Sequence, residues 1–290
     1  MDIAHKQTDK LLETTEKQVL SIYNKVYADL KKELSKVNDK IDNLPTDATM
    51  QQRINEWNKR DRLKTLEKQV SIAISNANKE AQKIINGMHN QTYLNNFNYS
   101  SYVIETESGK IGVMPILDKK IIEQYIQDGI SPFTKIAIDD LKDKNIIYSQ
   151  IARELTSGIA IGESVQKLAQ RVKKTVNKSY SSSVRIARTE TTRIEASARQ
   201  KTYDIGKEKG IEMQKEWVST LDGDTRDNHR KLDGQIVGID EYFKIGGSKA
   251  MYPADFGVAS EDINCRCTTR PILKGYTKER MTYAEWEKDR

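Results

Sequence analysis

Two short stretches decide the fold of the C-terminal third: WVSTLDGDTRDNHRKLDG at residues 217–234 and DINCRC at residues 262–267. The first surrounds one histidine with four aspartates, and the second holds both cysteines of the chain. Asp and Gly favour turns because Asp side chains bond to the nearby backbone and Gly adopts positive φ. Apolar and β-branched residues at 217–218 and 235–239 predict short strands. We therefore expect a small sheet that carries polar loops.

His229, Cys265 and Cys267 are candidate zinc ligands, because thiolates and imidazole are the ligand types that zinc prefers. The candidates for a fourth ligand are three aspartates, with Asp222 first: Asp222, Asp224 and Asp233. A thin domain would gain folding free energy from a structural ion. A second interpretation stays open, in which the histidine and aspartates hold a loop by hydrogen bonds and the cysteines are small buried residues. We expect the histidine to lie close to both cysteines in either case.

An enzyme is the alternative function that these residues suggest. His229 as a base, aspartates as magnesium ligands and Arg226 or Arg266 as a phosphate clamp would make a metal-dependent nuclease. The stretch lacks a second histidine and a recognisable phosphate-cradling loop, and His5 and His89 are predicted to lie on distant helices. We therefore predict no catalytic residues and a protein that is not an enzyme.

The N-terminal 90 residues have the pattern of two long helices. Apolar residues recur at steps of three and four from Leu12 to Leu44, and again from Leu63 to Met88. Pro45 separates the two runs, because proline cannot continue a helix. The pattern predicts a long antiparallel helical hairpin over residues 1–90.

Residues 91–116 lose the helical period and become rich in Asn, Ser, Tyr and β-branched residues. This composition predicts a loop, or a small hairpin that turns at Ser108 and Gly109. The segment is also the best candidate for a domain boundary.

A basic helical region is predicted over residues 117–210, with helices at 118–127, 135–155, 163–176 and 181–208. Between residues 163 and 209 there are twelve basic and five acidic residues, a balance of +7 that exceeds the +6 of the whole chain. Such a concentration suits binding to the phosphates of DNA, without sequence specificity. The candidate DNA-binding residues are Lys167, Arg171, Lys173, Lys174, Lys178, Arg185 and Arg188. The alternative is a solvated surface with ordinary pairs between neighbouring helical turns.

The composition limits the classes of protein that fit. The 290 residues are 37% hydrophobic and 31% charged, which favours long exposed helices over one compact globule. Two cysteines separated by one residue do not form the disulfide framework of a secreted protein, so a reducing cytosol is expected. No segment approaches the roughly 20 apolar residues of a membrane span, and the N-terminus lacks an apolar signal region. We expect neither membrane insertion nor export.

Several motifs in fixed order resemble the phage minor head proteins, the head morphogenesis family named after the Mu F protein. They are A-R-T-E-x-x-R, a tryptophan, D-x-R-x-x-H-x-x-L-D-G, a phenylalanine, a proline and N-C-R-C. The matching positions are Ala187, Arg188, Thr189, Glu190, Arg193, Trp217, Asp224, Arg226, His229, Leu232, Asp233, Gly234, Phe243, Pro253, Asn264, Cys265, Arg266 and Cys267. Together they cover about a third of the chain.

The resemblance implies a structural minor capsid protein of a tailed phage. Such a protein is assembled in the host cytoplasm and lies inside the head near the portal. Its expected partners are the portal protein, the scaffold or major capsid protein, and double-stranded DNA. Ejection with the genome is a further expectation of this role.

These patterns together predict a mainly helical α+β protein. A helical hairpin occupies residues 1–90, followed by a loop at 91–116 and the basic helical region at 117–210. A small α+β domain with a short antiparallel sheet and the histidine and C-x-C motif spans 211–273, and a helical tail covers 274–290. No cofactor is predicted apart from the candidate structural zinc.

Overall fold

The computed structural model describes residues 1–42, 45–57, 60–118, 165–273 and 281–288, with a few single positions between 120 and 163. Its elements in these parts are α1 (Ile3–Asp42), α2 (Met50–Trp57), α3 (Arg60–Ser108), α4 (Val165–Glu208), β1 (Met213–Val218), α5 (Asp227–Leu232), β2 (Ile236–Gly238), β3 (Phe243–Ile245), β4 (Ser248–Ala250), α6 (Ala259–Asp262), β5 (Thr268–Leu273) and α7 (Tyr283–Lys288). The predicted fold class, mainly helical with a small antiparallel sheet near the C-terminus, is confirmed. The helices predicted at 118–127 and 135–155 lie almost entirely outside the described residues.

The chain divides into two compact units, and each combines separate parts of the sequence. The sheet unit contains Met1–Thr15, Ile85–Phe133 and Arg185–Arg290, and the helical unit contains Glu16–Ile84 and Thr134–Val184. Each of the three long helices, α1, α3 and α4, has one part in the sheet unit and another part in the helical unit. None of the described helices combines the length and apolar character that a membrane span needs.

In the helical unit, the predicted apolar period of α1 becomes a buried face. Val19, Tyr23, Leu30 and Leu34 are almost fully buried, and their spacing places them on one side of the helix. The Tyr23 hydroxyl donates to the side-chain oxygen of Asn78 on α3 at 2.5 Å. The long α1 is therefore stabilised by packing against neighbouring helices rather than by helix propensity alone.

The predicted loop at 91–116 was wrong over its first 18 residues, because α3 continues to Ser108 and Gly109 then adopts φ +69°. Asn96 is fully buried, and its amide donates to the Thr8 hydroxyl at 2.9 Å and to the Thr92 carbonyl at 3.0 Å. Asn98 bonds to the backbone of Leu117 in both directions. These tertiary bonds outweigh the low helix propensity of asparagine.

The sheet near the C-terminus has the strand order β2-β1-β5, and both pairs are antiparallel. Lys215 of β1 is opposite Val237 on one side and Pro271 on the other. Pro271 fits because β5 is an edge strand, where a missing N–H costs no ladder bond. The predicted strands at 217–218 and 235–239 match β1 and β2. Strands β3 and β4 form a separate hairpin that turns at Gly246 with φ +56°.

A buried ion cluster joins the N-terminus of α1 to α3 and α4 within the sheet unit. The guanidinium of Arg199 is 1% exposed and binds both carboxylate oxygens of Asp2, at 2.6 and 2.9 Å. The same side chain donates to the side-chain oxygen of Asn96. Glu195 Oε1 lies 3.4 Å from Arg199 and 2.7 Å from His5 Nδ1. Each buried charge therefore has an opposite charge within contact distance, as burial requires.

The predicted helical tail ends in α7, and its Trp286 is fully buried in the sheet unit. The indole N–H donates to Glu105 Oε2 on α3 at 2.6 Å. The Trp286 ring packs edge-on to Tyr102, whose hydroxyl donates to the carbonyl of Met281. The tail is thus fixed to α3 by an aromatic cluster with satisfied polar ends.

Candidate functional site

His229, Cys265 and Cys267 meet in the core of the sheet unit, as the sequence predicts. His229 Nδ1 lies 3.6 Å from Cys265 Sγ and 3.3 Å from Cys267 Sγ. The three residues are only 2–3% exposed. The predicted proximity is confirmed, although 36 residues separate the histidine from the first cysteine.

The histidine is positioned by its own short helix and by β1. The Ser219 hydroxyl donates to the His229 carbonyl at 2.6 Å, and the Ser219 N–H donates to the side chain of Asp233 at 2.8 Å. The imidazole packs against Trp217 and Phe256, with ring centroids 5.9 and 6.2 Å away. These contacts fix both the backbone and the ring plane of the histidine.

The second nitrogen of His229 faces a carboxylate that sequence reasoning missed. Its Nε2 lies 3.2 Å from Oε2 of Glu261 on α6, although the two atoms are not aligned as a hydrogen bond. A carboxylate beside Nε2 favours a proton on that nitrogen and leaves the Nδ1 lone pair directed at the thiols. The tautomer is inferred from these neighbours. The only sequence signal for Glu261 was its place four residues before Cys265.

The two thiols of the cluster differ in acidity. The contact with Cys265 lowers the pKa of Cys267, and His229 acts in the same direction. The same contact with Cys267, together with burial, raises the pKa of Cys265 well above its usual range. The cluster thus stabilises one thiolate, which is the form that binds metals.

Asp222, the first of the three candidates for a fourth metal ligand, lies outside the group that has metal-binding geometry. Its carboxylate binds Arg266 through two hydrogen bonds, at 2.6 and 2.7 Å, and these bonds lower the pKa of Asp222 to about 2. Burial alternates along residues 265–267, so the cysteines face the core while Arg266 faces outward. The arginine between the cysteines therefore draws the carboxylate away from them.

The other aspartates of the stretch also have places away from the imidazole. Asp224 and Asp227 are exposed, and Asp233 accepts the Ser219 N–H. In the described part of the chain, the group with metal-binding geometry contains the histidine and two cysteines without an aspartate. The magnesium ligands that a nuclease would need are therefore not gathered around His229.

Helix α4 holds the loop that carries the cysteines. The Asn264 N–H donates to the Thr189 hydroxyl at 3.1 Å, and the Thr192 hydroxyl donates to the Cys265 carbonyl. Arg193 Nε donates to the Ala254 carbonyl at 2.9 Å. Ala254 and Asn264 both have positive φ, +64° and +56°, a backbone region that costs free energy outside glycine. The A-R-T-E-x-x-R and N-C-R-C motifs are therefore parts of one structural contact.

Most of the predicted DNA-binding residues lie exposed on α4. In the helical unit these are Lys167, Lys173, Lys174 and Lys178, and in the sheet unit they are Arg185 and Arg188. Arg171 differs, because its guanidinium is half-buried and bonded to Glu163 and Glu154. The +7 balance of residues 163–209 therefore overstates the charge available to a partner.

Comparisons with known proteins match this chain to phage head proteins. Residues 149–270 match the family described as Phage Mu protein F like protein. The minor head protein GP7 of Bacillus phage SPP1 is 28% identical over 244 residues, which cover 78% of this chain and 79% of that protein. The uncharacterized protein YqbB of Bacillus subtilis is 41% identical over 51 residues, 17% of each chain. No solved structure matches this chain significantly.

A further relative is the NAD(+)--arginine ADP-ribosyltransferase EFV of Enterococcus faecalis. It is 27% identical over 288 residues, which are 95% of this chain. The chain spans 57% of the length of that relative. A large part of the enzyme therefore lies outside the match.

Proposed function

Through residues 149–270 this chain is related to the phage minor head proteins, and on that premise we propose that it joins the portal inside the head and contacts the packaged DNA. The relationship supports a structural role in head morphogenesis and a place in the virion. The scaffold or major capsid protein is a further proposed partner, and release with the genome is a proposed later step. The observation that carries the proposal is the ordered set of motifs, which also forms one buried contact between α4 and the cysteine loop.

The proposed DNA-binding surface is the exposed basic side of α4 in the helical unit. Residues 165–184 contain five basic residues and no acidic one. Lys167, Lys174 and Lys178 are spaced by seven and four residues, so they share one face of the helix. They extend over about 16 Å of helix axis. Lysine ammonium groups bind phosphates as point charges, which predicts contact with any duplex sequence.

We expect the full chain to bind two unrelated DNA duplexes equally, with an affinity that falls steeply as salt rises. Replacing Lys167, Lys173, Lys174 and Lys178 by glutamine removes up to four phosphate contacts. Each lost contact lowers the slope of log affinity against log salt by about 0.9, so the slope is expected to fall by roughly 2–4. Fluorescence anisotropy titrations across a salt series measure both quantities.

The matched control replaces four exposed lysines of α1, Lys10, Lys25, Lys31 and Lys32, by glutamine. It changes the net charge equally and is expected to leave the slope nearly unchanged. Equal losses in both variants would show that overall charge, rather than α4, attracts DNA.

The same DNA incubated with magnesium, manganese or zinc is expected to stay intact. Metal-dependent cutting that His229→Ala abolishes would reverse the choice of a structural role.

Portal association is tested by imaging the portal vertex of intact particles. We expect density for this chain on the inner side of the portal, and co-purification of the two proteins after co-expression. Particles that carry the chain spread over the capsid lattice would contradict the proposed location.

The activity named for the Enterococcus faecalis relative belongs to a protein matched over 57% of its length, and we propose no catalytic role for this chain.

A further inference from the structure

We propose that His229, Cys265 and Cys267 bind one zinc ion that connects α5 to the segment before β5. The inference concerns the core of the sheet unit and holds whether or not the chain binds the portal or DNA. Its basis is the geometry of three buried side chains, two of them thiols, around one small volume.

The distances suit a tetrahedral centre. With Zn–S bonds of about 2.3 Å and Zn–N bonds of about 2.0–2.1 Å, sulfur and nitrogen ligands lie about 3.5 Å apart. The two Sγ atoms lie 3.6 and 3.3 Å from His229 Nδ1, and the three ligand atoms are all within 4.8 Å of one another. A bound ion therefore requires only small shifts of these side chains.

Both thiols approach the same nitrogen, and packing alone explains this arrangement poorly. One imidazole nitrogen offers either one proton or one lone pair, so it forms one good hydrogen bond at a time. A cation between Nδ1 and the two sulfur atoms satisfies all three groups together. Thiolate and imidazole ligands favour zinc over magnesium and calcium, which prefer oxygen.

The surroundings of the cluster orient the proposed ligands. Glu261 Oε2, 3.2 Å from His229 Nε2, matches the carboxylate that commonly accompanies a metal-binding histidine. The Thr192 hydroxyl holds the Cys265 carbonyl, and the Ser219 hydroxyl holds the His229 carbonyl. The backbone of two ligands is thus fixed before an ion binds.

The elements around the cluster are too short to be stable alone. They include strands of three residues and helices of four and six residues, which depend on packing or cross-links for stability. The apolar cluster that they share includes Trp217, Leu232, Phe243 and Phe256 together with both cysteines. A zinc ion in this core supplies a cross-link between α5 and the C-x-C segment.

Three protein ligands leave one position of a four-coordinate ion. Among the described residues, no fourth His, Cys, Asp or Glu side chain joins the group. A water molecule is therefore the proposed fourth ligand. Because the three ligands are only 2–3% exposed, the proposed role of the ion is structural.

The test measures metal content in the full chain, purified without chelators from zinc-supplemented cells. We expect about one zinc per chain by inductively coupled plasma mass spectrometry. Cys265→Ser, Cys267→Ser and His229→Gln are each expected to lower the zinc content at least tenfold. Asp222→Asn is the matched control, because Asp222 belongs to the same stretch but binds Arg266, and this variant is expected to keep its zinc.

A second measurement on the unmodified chain covers variants that fail to fold. Cobalt substitution is expected to give the thiolate-to-cobalt absorption of a tetrahedral site. Removal of zinc by a chelator is expected to expose two reactive thiols and to lower the melting temperature, and added zinc should restore both. A folded chain with less than about a tenth of a zinc equivalent and no cobalt absorption would overturn the proposal. A Cys265–Cys267 disulfide in freshly purified protein would overturn it as well.

Discussion

Replacing Arg199 by alanine is expected to lower the free energy of unfolding of the sheet unit by about 3–5 kcal/mol. The side chain is 1% exposed and bonds to Asp2, Asn96 and the Thr269 carbonyl. Removing one partner of a buried ion pair leaves the others desolvated without compensation. The loss therefore exceeds that of a surface charge by several fold.

Urea denaturation followed by tryptophan fluorescence measures this loss, because two of the three tryptophans, Trp217 and Trp286, lie in the sheet unit. The matched control is Arg185→Ala on the same helix, where the side chain is exposed; its expected change is within about 0.5 kcal/mol. Arg199→Lys is expected to recover only part of the loss, because a lysine cannot reproduce the planar pair of bonds to Asp2. A loss below about 1 kcal/mol for Arg199→Ala would show that the cluster contributes little.

The approach of His229 to the cysteines was predictable because local sequence determines it. Asp and Gly residues fix the turns, and the apolar segment at 217–218 belongs to β1, which pairs with the later strands β2 and β5. The segment Thr268–Leu273, which follows the cysteines, forms β5 next to β1. Strand pairing then brings the C-x-C segment to the histidine.

The choice of carboxylates around that site was not predictable from spacing. Asp222 is close to His229 in sequence, yet Arg266 binds it from the outer side of the C-x-C segment. Glu261 reaches the imidazole because α6 ends just before the cysteines. Which acidic side chain meets which base depends on the faces that a short irregular segment presents, and no periodic pattern encodes those faces.

The length of α3 and the role of Arg199 depend on partners far away in sequence. Asn96 and Arg199 meet across 103 residues, and Asp2 and Arg199 across 197. By composition, Asn96 belonged to a predicted loop, and Arg199 was one of the twelve basic residues counted between residues 163 and 209. In the structure, long-range hydrogen bonds hold both side chains buried on helices. A buried polar side chain is compatible with a helix once its partners are present.

Replacing His5 by glutamine is expected to lower the free energy of unfolding by roughly 1.5–3 kcal/mol near pH 6, the usual contribution of a hydrogen bond between charged groups. His5 is 4% exposed and lies 2.7 Å from Glu195 Oε1. Burial alone would lower the pKa of His5, but the charge and hydrogen bond of Glu195, together with the charge of Asp9, outweigh it, so the pKa is raised from 6.5. Burial would raise the pKa of Glu195, yet His5 and Arg199 together lower it from 4.5.

The direction of these two shifts determines the pH dependence. A histidine whose pKa is raised by folding stabilises the folded state fully below about pH 6.5. This stabilisation is lost as the pH rises through the pKa of the histidine in the folded state. A lowered glutamate pKa stabilises above about pH 4.5 and loses its effect as pH falls through the folded value. The pair therefore contributes most between about pH 4.5 and 6.5 and weakens above that window. His5→Gln removes the titrating group, so the difference from the unmodified chain should shrink steadily towards pH 9.

His89→Gln is the matched control for this measurement, since His89 is another histidine of the sheet unit and its Nε2 atom is buried. Burial lowers the pKa of His89 to about 4, so the folded and unfolded chains both hold it neutral above about pH 6.5 and it adds no slope there. Denaturation curves at several pH values should show the decline above pH 6.5 in the unmodified chain and in His89→Gln, and its loss in His5→Gln. If the free energy of unfolding of His5→Gln declines equally above about pH 6.5, another titrating group causes the decline. The charged His5–Glu195 pair would then not be what holds α1 to α4 in the sheet unit.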